Sequence, residues 1–299
     1  MVRNFQSNDQ WAACRFLVGS ALAFSLMTVC VKHLDGRLPV AEIVLARSLI
    51  SLVITWFMLR RVGISPWGQR KSLLLIRGLL GTAALFCVFE ALASLPLAAA
   101  TILQYTYPTF TAIAAWLLLG ERVRRRIGIA VLLGWLGITL VMQPEWLGSS
   151  IVGLPSLAVS IALIGALFTA LAYVCVRELS KREHPLVIVF YFPLISLPIT
   201  LPFLWHQGVV PLGMEWIWIL GVGLFTQLGQ IWITKGLAIL PAARASSIGY
   251  VQVLFATIWG VLLFAEPFDG WVALGALFVL AATLISLSSR QTTALKQPS

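Results

Sequence analysis

Long apolar runs, separated by short polar or basic stretches, recur along the whole chain. They fall at about 12–31, 40–59, 73–93, 97–118, 127–143, 151–176, 186–205, 215–235, 241–264 and 270–289. Most come close to the roughly 20 helical residues needed to cross a hydrocarbon core of about 30 Å. The period-2 alternation of a barrel strand is absent, and lipid offers no water to satisfy an open sheet edge. The pattern therefore predicts an all-α membrane protein with ten transmembrane helices. The connections are too short to hold a soluble domain.

The runs repeat at a fixed offset of 145 residues. Leu92-Ala93-Ser94-Leu95-Pro96 leads to Tyr105, Leu117-Leu118 and Glu121; Leu237-Ala238-Ile239-Leu240-Pro241 leads to Tyr250, Leu262-Leu263 and Glu266. From Leu92 to Glu121, 12 of 30 positions are identical to their mates, and Cys30-Val31 matches Cys175-Val176. The repeat divides the chain into 1–145 and 146–299, each with five spans. An odd number of spans makes the second unit enter the membrane from the opposite side. The two units are then inverted about a pseudo-twofold axis in the membrane plane, an arrangement that recurs in secondary transporters.

Composition agrees with a lipid solvent: 60% of the 299 residues are hydrophobic and 11% charged, against about 25% charged in soluble domains. The net charge of +10 does not indicate nucleic acid, because of where it lies. With the N-terminus inside, 18 of the Lys and Arg residues, Arg77, Lys235 and Arg244 among them, fall on the inner side and three, Lys32, Arg37 and Arg47, on the outer. That asymmetry places both termini in the cytoplasm and makes the run Arg122 to Arg126 an anchor on anionic lipid. The apolar segment after Arg15 imitates a signal peptide, yet it has a counterpart in the second half and reads as a retained helix. Cys14, Cys30, Cys87 and Cys175 have neither metal-site nor disulfide-framework spacing.

Ten spans in two repeats, with Arg47 in the second span, Leu95-Pro96 before the fourth and Leu119-Gly120-Glu121 closing it, resemble the drug/metabolite transporter superfamily, in particular its EamA-type exporters. Gly128, Gly134 and Gly137 in the fifth span belong to the same likeness, as do Leu240-Pro241, Glu266 and Gly275 in the second half. The chain departs from its own repeat where Phe192 faces Arg47 and where Ala265 faces Gly120. The aromatic inventory is similar to that of the superfamily's aromatic amino acid exporters. The resemblance implies a carrier for a small molecule in the inner membrane, with no cofactor.

In lipid, polar side chains belong inside the bundle. The fourth span offers Thr101, Gln104, Tyr105, Pro108 and Thr111 along one helical face, with Tyr107 nearby; the ninth offers Ser246, Ser247, Tyr250, Gln252 and Thr257. The paired Tyr105 and Tyr250 have the geometry to meet near the midplane. Thr82, Phe86 and Glu90 share a face of the third span, Gln227, Gln230 and Trp232 lie in the eighth, and Tyr173 in the sixth. These are the candidate cavity residues, with Glu90 the candidate proton site. Arg47 is expected to snorkel outward or pair with Glu42. Only Lys235 and Arg244 are marginal candidates for a buried cation. Gly78 and its mate Gly223, Pro108, and the Leu-Pro junctions at Pro96 and Pro241 are candidate bending points. The fifth and tenth spans, rich in Gly and Ala, suit close packing.

An enzyme would need a catalytic pair inside the spans. HExxH is absent, no Ser/His couple is apposed, and Glu90 alone makes no acid/base pair. A P-loop is also absent, so ATP is not the direct energy source, and nothing resembles a channel selectivity filter. The reading is a non-enzymatic secondary transporter for small amphipathic metabolites, aromatic and apolar amino acids foremost, working by alternating access. A nucleotide sugar or cationic drug is the alternative cargo.

Overall fold

The computed structural model describes residues 2–34, 38–95, 97–142, 155–204, 209–265, 268 and 270–288. Among them are twelve helices and no strand: α1 (Val2–Leu34), α2 (Val40–Val62), α3 (Lys71–Ser94), α4 (Leu97–Gln104), α5 (Tyr107–Leu119), α6 (Arg125–Met142), α7 (Ser156–Leu179), α8 (Pro185–Leu204), α9 (Glu215–Ile239), α10 (Ala242–Ile248), α11 (Val251–Phe264) and α12 (Gly270–Ser288). Pro96 and Glu266 lie outside the described residues.

Each predicted span contains described helix. Nine spans among the described residues are long and apolar enough to cross a membrane, and α6 stands at the place of the fifth. Residues 143, 151–154, 205 and 289 of the predicted spans lie outside the described residues, and two spans differ from a single helix. The fourth is divided into α4 and α5 at Tyr105-Thr106, and the ninth into α10 and α11 at Gly249-Tyr250. Pro108 accounts for the first break. It has no N–H for the Gln104 carbonyl, and its ring crowds that carbonyl. The chain tightens instead, with Thr106 N–H bonding the Leu103 oxygen and Thr109 N–H the Thr106 oxygen. The second break sits one residue earlier in the repeat and has no proline. There Gly249 N–H bonds the Ser246 oxygen and Val253 N–H the Tyr250 oxygen, again three residues back.

Packing follows the repeat. α1 lies on α9 as α7 lies on α3, α5 on α7 as α11 on α1, and α2 on α9 as α8 on α3. The α2–α8 and α6–α12 contacts map onto themselves. Every one of these pairings has its mate under the 145-residue shift, as a twofold relation between the halves requires. At the α6–α12 crossing a Cβ on Gly137 would lie 2.7 Å from the Gly275 carbonyl oxygen, and one on Gly275 would lie 2.6 Å from that of Gly137. The backbones touch because neither residue carries a side chain. α5 and α11 both end in a left-handed residue, Gly120 at φ 66° and Ala265 at φ 51°.

Large apolar side chains such as Leu49, Phe57, Trp116, Leu132, Leu201, Leu262 and Leu277 face outward. In water that would be a liability; against acyl chains it is the ordinary surface of a span. Inside, α2 and α8 are joined by Ser48 and Ser196, whose hydroxyls are 2.6 Å apart. Gln227 of α9 accepts a hydrogen bond from Ser51 and donates one to Thr55 at 2.7 Å.

Candidate functional site

Both helix breaks bring tyrosines together. The Tyr105 and Tyr250 rings stack with centroids 6.2 Å apart, Tyr105 and Tyr107 are 6.1 Å apart, and Tyr107 meets the edge of Tyr173 at 5.5 Å. The expected meeting of the symmetric pair is therefore present, but the two members differ in surroundings. Tyr250 is fully buried, its ring fills the space left by Gly134 on α6, and its hydroxyl points at the Val131 and Tyr105 carbonyls at 3.4 and 3.5 Å. It ties the ninth span to the scaffold in this conformation. The Tyr107 hydroxyl reaches across to the other break. It lies against Gly249, where a Cβ would not fit, and 3.5 Å from the Ser246 oxygen.

The tyrosines lead from Tyr173 toward Arg77 of α3, which lies near Tyr173 and Cys175. Arg77 Nη2 donates to Gln230 Oε1 at 3.0 Å. The Arg77 guanidinium sits 5.0 Å from the centroid of Phe192, and the guanidinium of Arg47 sits 5.4 Å from the centroid of the same ring. That ring lies close to α3 because a Cβ on Gly81 would come within 2.8 Å of it. Arg47 and Arg77 are only 8% and 5% exposed. Arg47 Nε and Arg77 Nε and Nη1 are buried without a hydrogen-bond partner. Among the described residues no carboxylate pairs with either. Two like charges removed from water with no described counter-ion are costly.

Three expectations are corrected here. Arg47 neither snorkels nor pairs with Glu42, whose Oε2 instead accepts the Val209 N–H at 3.0 Å. Arg77, counted among the inner-surface cations, is a buried interior residue two turns into α3. The buried cations that a negatively charged cargo requires are these two. Arg244 is committed to the end of α12, donating to the Ser286 and Leu287 carbonyls at 2.8 Å each, and Lys235 lies over the Phe16 ring. The available signal was a cation inside an apolar run with no acidic residue one helical turn away.

The remaining candidates are spread more widely. Gln104 donates to Thr169 Oγ1 at 3.3 Å, and its buried Oε1 has no partner. Thr101 is half-buried on the same short helix, and its carbonyl takes the Tyr105 N–H. Gln252, the mate of Tyr107, is half-buried in the first turn of α11. Thr82 is buried but bonds its own helix at the Gly78 carbonyl, 2.9 Å away. Phe86 is half-buried farther along α3. Glu90 is exposed near the end of α3 and accepts a hydrogen bond from Ser94 at 3.1 Å. Thirteen residues separate it from Arg77, about 20 Å of helix. Trp232 packs in the main apolar cluster above Gly19, and Gln227 is occupied by Ser51 and Thr55. Gly78 and Gly223 sit inside unbroken helices, pressed by Ile195 and Ile50 respectively. Pro108 stands in the first turn of α5, and Pro241 caps the N-terminus of α10.

At one end of the bundle a carboxylate joins the halves. Glu121 Oε1 accepts from Arg177 Nε at 2.8 Å, and its Oε2 accepts the Ala242 N–H at 2.9 Å. Arg177 Nη1 donates to the Leu237 and Ala238 carbonyls at 3.1 and 2.8 Å. The ends of α5, α7, α9 and the start of α10 are thus tied together, with one orphan N–H of α10 and two terminal carbonyls of α9 satisfied.

A bundle of spans in two repeats, with paired helix breaks and a polar, aromatic interior, defines a multi-pass membrane carrier. The chain belongs to the EamA-like transporter family, which matches residues 11–143 and again 156–288, the same 145-residue shift. It is 33% identical over 273 residues to the pseudopaline exporter CntI of Pseudomonas aeruginosa, covering 91% of this chain and 94% of that one. It is 30% identical over 278 residues to human solute carrier family 35 member G1, covering 89% and 76%. A solved structure with 18% identity superposes with a TM-score of 0.72 over 95% of this chain and 96% of the other, a likeness of fold alone. The family and these relatives are transporters. The narrower likeness to aromatic amino acid exporters finds no support among them.

Proposed function

We propose that this chain is an inner-membrane secondary transporter, with both termini cytoplasmic, that exports a small amphipathic metabolite bearing a carboxylate. The observation that carries the reading is the Arg47–Arg77 pair, buried against Phe192 with no carboxylate partner among the described residues and with open donors, near the Tyr107–Tyr173 ring contact. Guanidinium donors hold an acid group, and ring faces hold an apolar body. The units 1–145 and 146–299 exchange conformations by bending at Tyr105-Thr106 and Gly249-Tyr250, with Pro96 and Pro241 as the adjoining junctions. Gly78 against Ile195 and Gly223 against Ile50 supply the surfaces that slide. The Glu121–Arg177 contact lies on the side that the basic run Arg122 to Arg126 assigns to the cytoplasm. It acts as an inner latch, released when the cavity opens inward.

Aromatic and apolar amino acids remain a second reading, favoured by the tyrosine stack. Their carboxylate fits the arginines. Their ammonium, however, meets no described carboxylate in the interior. Facilitated efflux is favoured over proton exchange, since the nearest candidate proton carrier, Glu90, is exposed and far along α3. The test is efflux of labelled Phe, Trp, Thr, Met and Glu from proteoliposomes. Saturable movement of at least one supports the reading, and movement of none, together with none for the aryl acids named below, rejects it.

A further inference from the structure

Two cations meet at Phe192, and among the described residues their charges are not balanced. Two guanidiniums lie against one ring, each more than nine-tenths buried, and they repel one another. Three of their N–H donors point at no acceptor. The described carboxylates are all engaged elsewhere or exposed: Asp9 at the surface, Glu42 at Val209, Glu90 at Ser94, Glu121 at Arg177, Glu178 at Arg70 and Lys181, Glu183 at the Gln69 and Arg70 amides, and Glu215 at the Leu212 amide. Gln230 holds Arg77 through one Nη and leaves the other open. Among the described residues, this interior lacks two negative charges.

We propose that Arg47 and Arg77 together bind the two negative charges of a small organic dianion, with its apolar body against Tyr107, Tyr173 and Phe192. The proposal rests on the transport reading above and adds the charge of the cargo. One carboxylate leaves a net buried positive charge, whereas two acid groups neutralise the pair and satisfy the open donors. Gln104 adds a further specification. Its buried Oε1 has no partner, and its amide donates to Thr169, one helical turn before Tyr173. That oxygen takes an N–H or O–H of the same ligand. Thr226, on the Gln230 face of α9, adds a buried hydroxyl with no partner. The acid groups are carboxylates or phosphate oxygens, which share this chemistry.

The test uses the full chain in nanodiscs and four probes with one aryl body: 2-phenylsuccinate, phenyl phosphate, phenylacetate and phenylalaninamide. Thermal stability and equilibrium binding are read against concentration. The expected result is at least tenfold tighter binding of a dianion than of phenylacetate, and no binding of the cationic amide. Preference for 2-phenylsuccinate assigns carboxylates, and preference for phenyl phosphate assigns a phosphate ester. Arg47→Met and Arg77→Met should each abolish the dianion preference and raise the melting temperature of the empty protein, because a buried unpaired charge has gone. Equal binding of phenylacetate and both dianions, or binding of none, overturns the proposal, and this arm needs no variant to fold. Arginine variants that melt lower yet keep the dianion preference overturn it as well. Dianion binding without efflux would remove the transport reading and leave the site. Efflux of amino acids without dianion binding would do the reverse.

Discussion

At the contact between α3 and α8, Ile195 presses on Gly78; 145 residues away in both partners, at the contact between α9 and α2, Ile50 presses on Gly223. The two regions are copies down to the side chain that fills the notch. Around Phe192 nothing is copied. Arg47 has Phe192 as its mate, Arg77 has Val222, Tyr107 has Gln252, Tyr173 has Thr28 and Gln230 has Leu85. The difference separates two demands on one duplicated unit. Packing between halves that must exchange conformations is constrained to be the same in both, since each contact recurs in the swapped state. A substrate has no twofold symmetry, so the groups that read it are free to diverge. Tyr105 and Tyr250 lie at the boundary between these regimes: both are kept, yet only Tyr250 is locked against α6.

The comparison can be broken by variants that treat the two regimes alike. The largest expected effect is at the scaffold crossing. In Gly275→Ala the new methyl meets the Gly137 oxygen at 2.6 Å and the Val141 nitrogen at 2.7 Å, backbone atoms that cannot rotate aside. A loss of about 3 kcal/mol in thermal or denaturant unfolding is expected. Next come Gly78→Ala, which meets the tip of Ile195 and the Tyr191 carbonyl oxygen at 3.0 Å, and Gly223→Ala, which meets Cγ2, Cβ and Cδ1 of Ile50 at 2.6–2.7 Å. Both should lose about 1–2 kcal/mol. Double-mutant cycles should show rescue of Gly78→Ala by Ile195→Ala and of Gly223→Ala by Ile50→Ala, with no rescue for the crossed combinations. Unequal losses, or crossed rescue, would break the equivalence of the halves. The smallest effect concerns the two left-handed helix ends. Ala265→Gly should gain about 0.5–1 kcal/mol and Gly120→Ala lose a similar amount, because only glycine adopts a positive φ without strain.

Most of the fold was legible in the sequence because lipid leaves few options. Apolar length gives the spans, and the constant 145-residue offset gives the pairing. The break after Gln104 was less so. Pro108 marks it, but proline inside a span is tolerated often enough that it reads equally as a kink. The break at Gly249 has no proline and is visible only through its mate. At the site, the tyrosines were found from helical spacing, while Arg77 was lost in the count of inner cations. A guanidinium on a long stem two turns into a span is compatible with snorkelling. Only the neighbours contributed by α8 and α9, Phe192 and Gln230, show that it stays inside. Likewise Gln227 and Trp232 look like ligands in one helix and turn out to be held by Ser51, Thr55 and the apolar cluster around Gly19.

The measurement closest to the central claim is the initial rate of labelled 2-phenylsuccinate efflux from proteoliposomes, expressed per folded molecule, for Arg77→Met and Gly223→Ala beside the unaltered chain. If the symmetric positions carry packing and the asymmetric ones carry recognition, Arg77→Met keeps or raises the folded fraction and loses at least tenfold in rate. Gly223→Ala loses folded protein, and what remains folded still transports. The opposite outcome, an Arg77→Met protein that folds poorly but transports normally per molecule, would contradict the account.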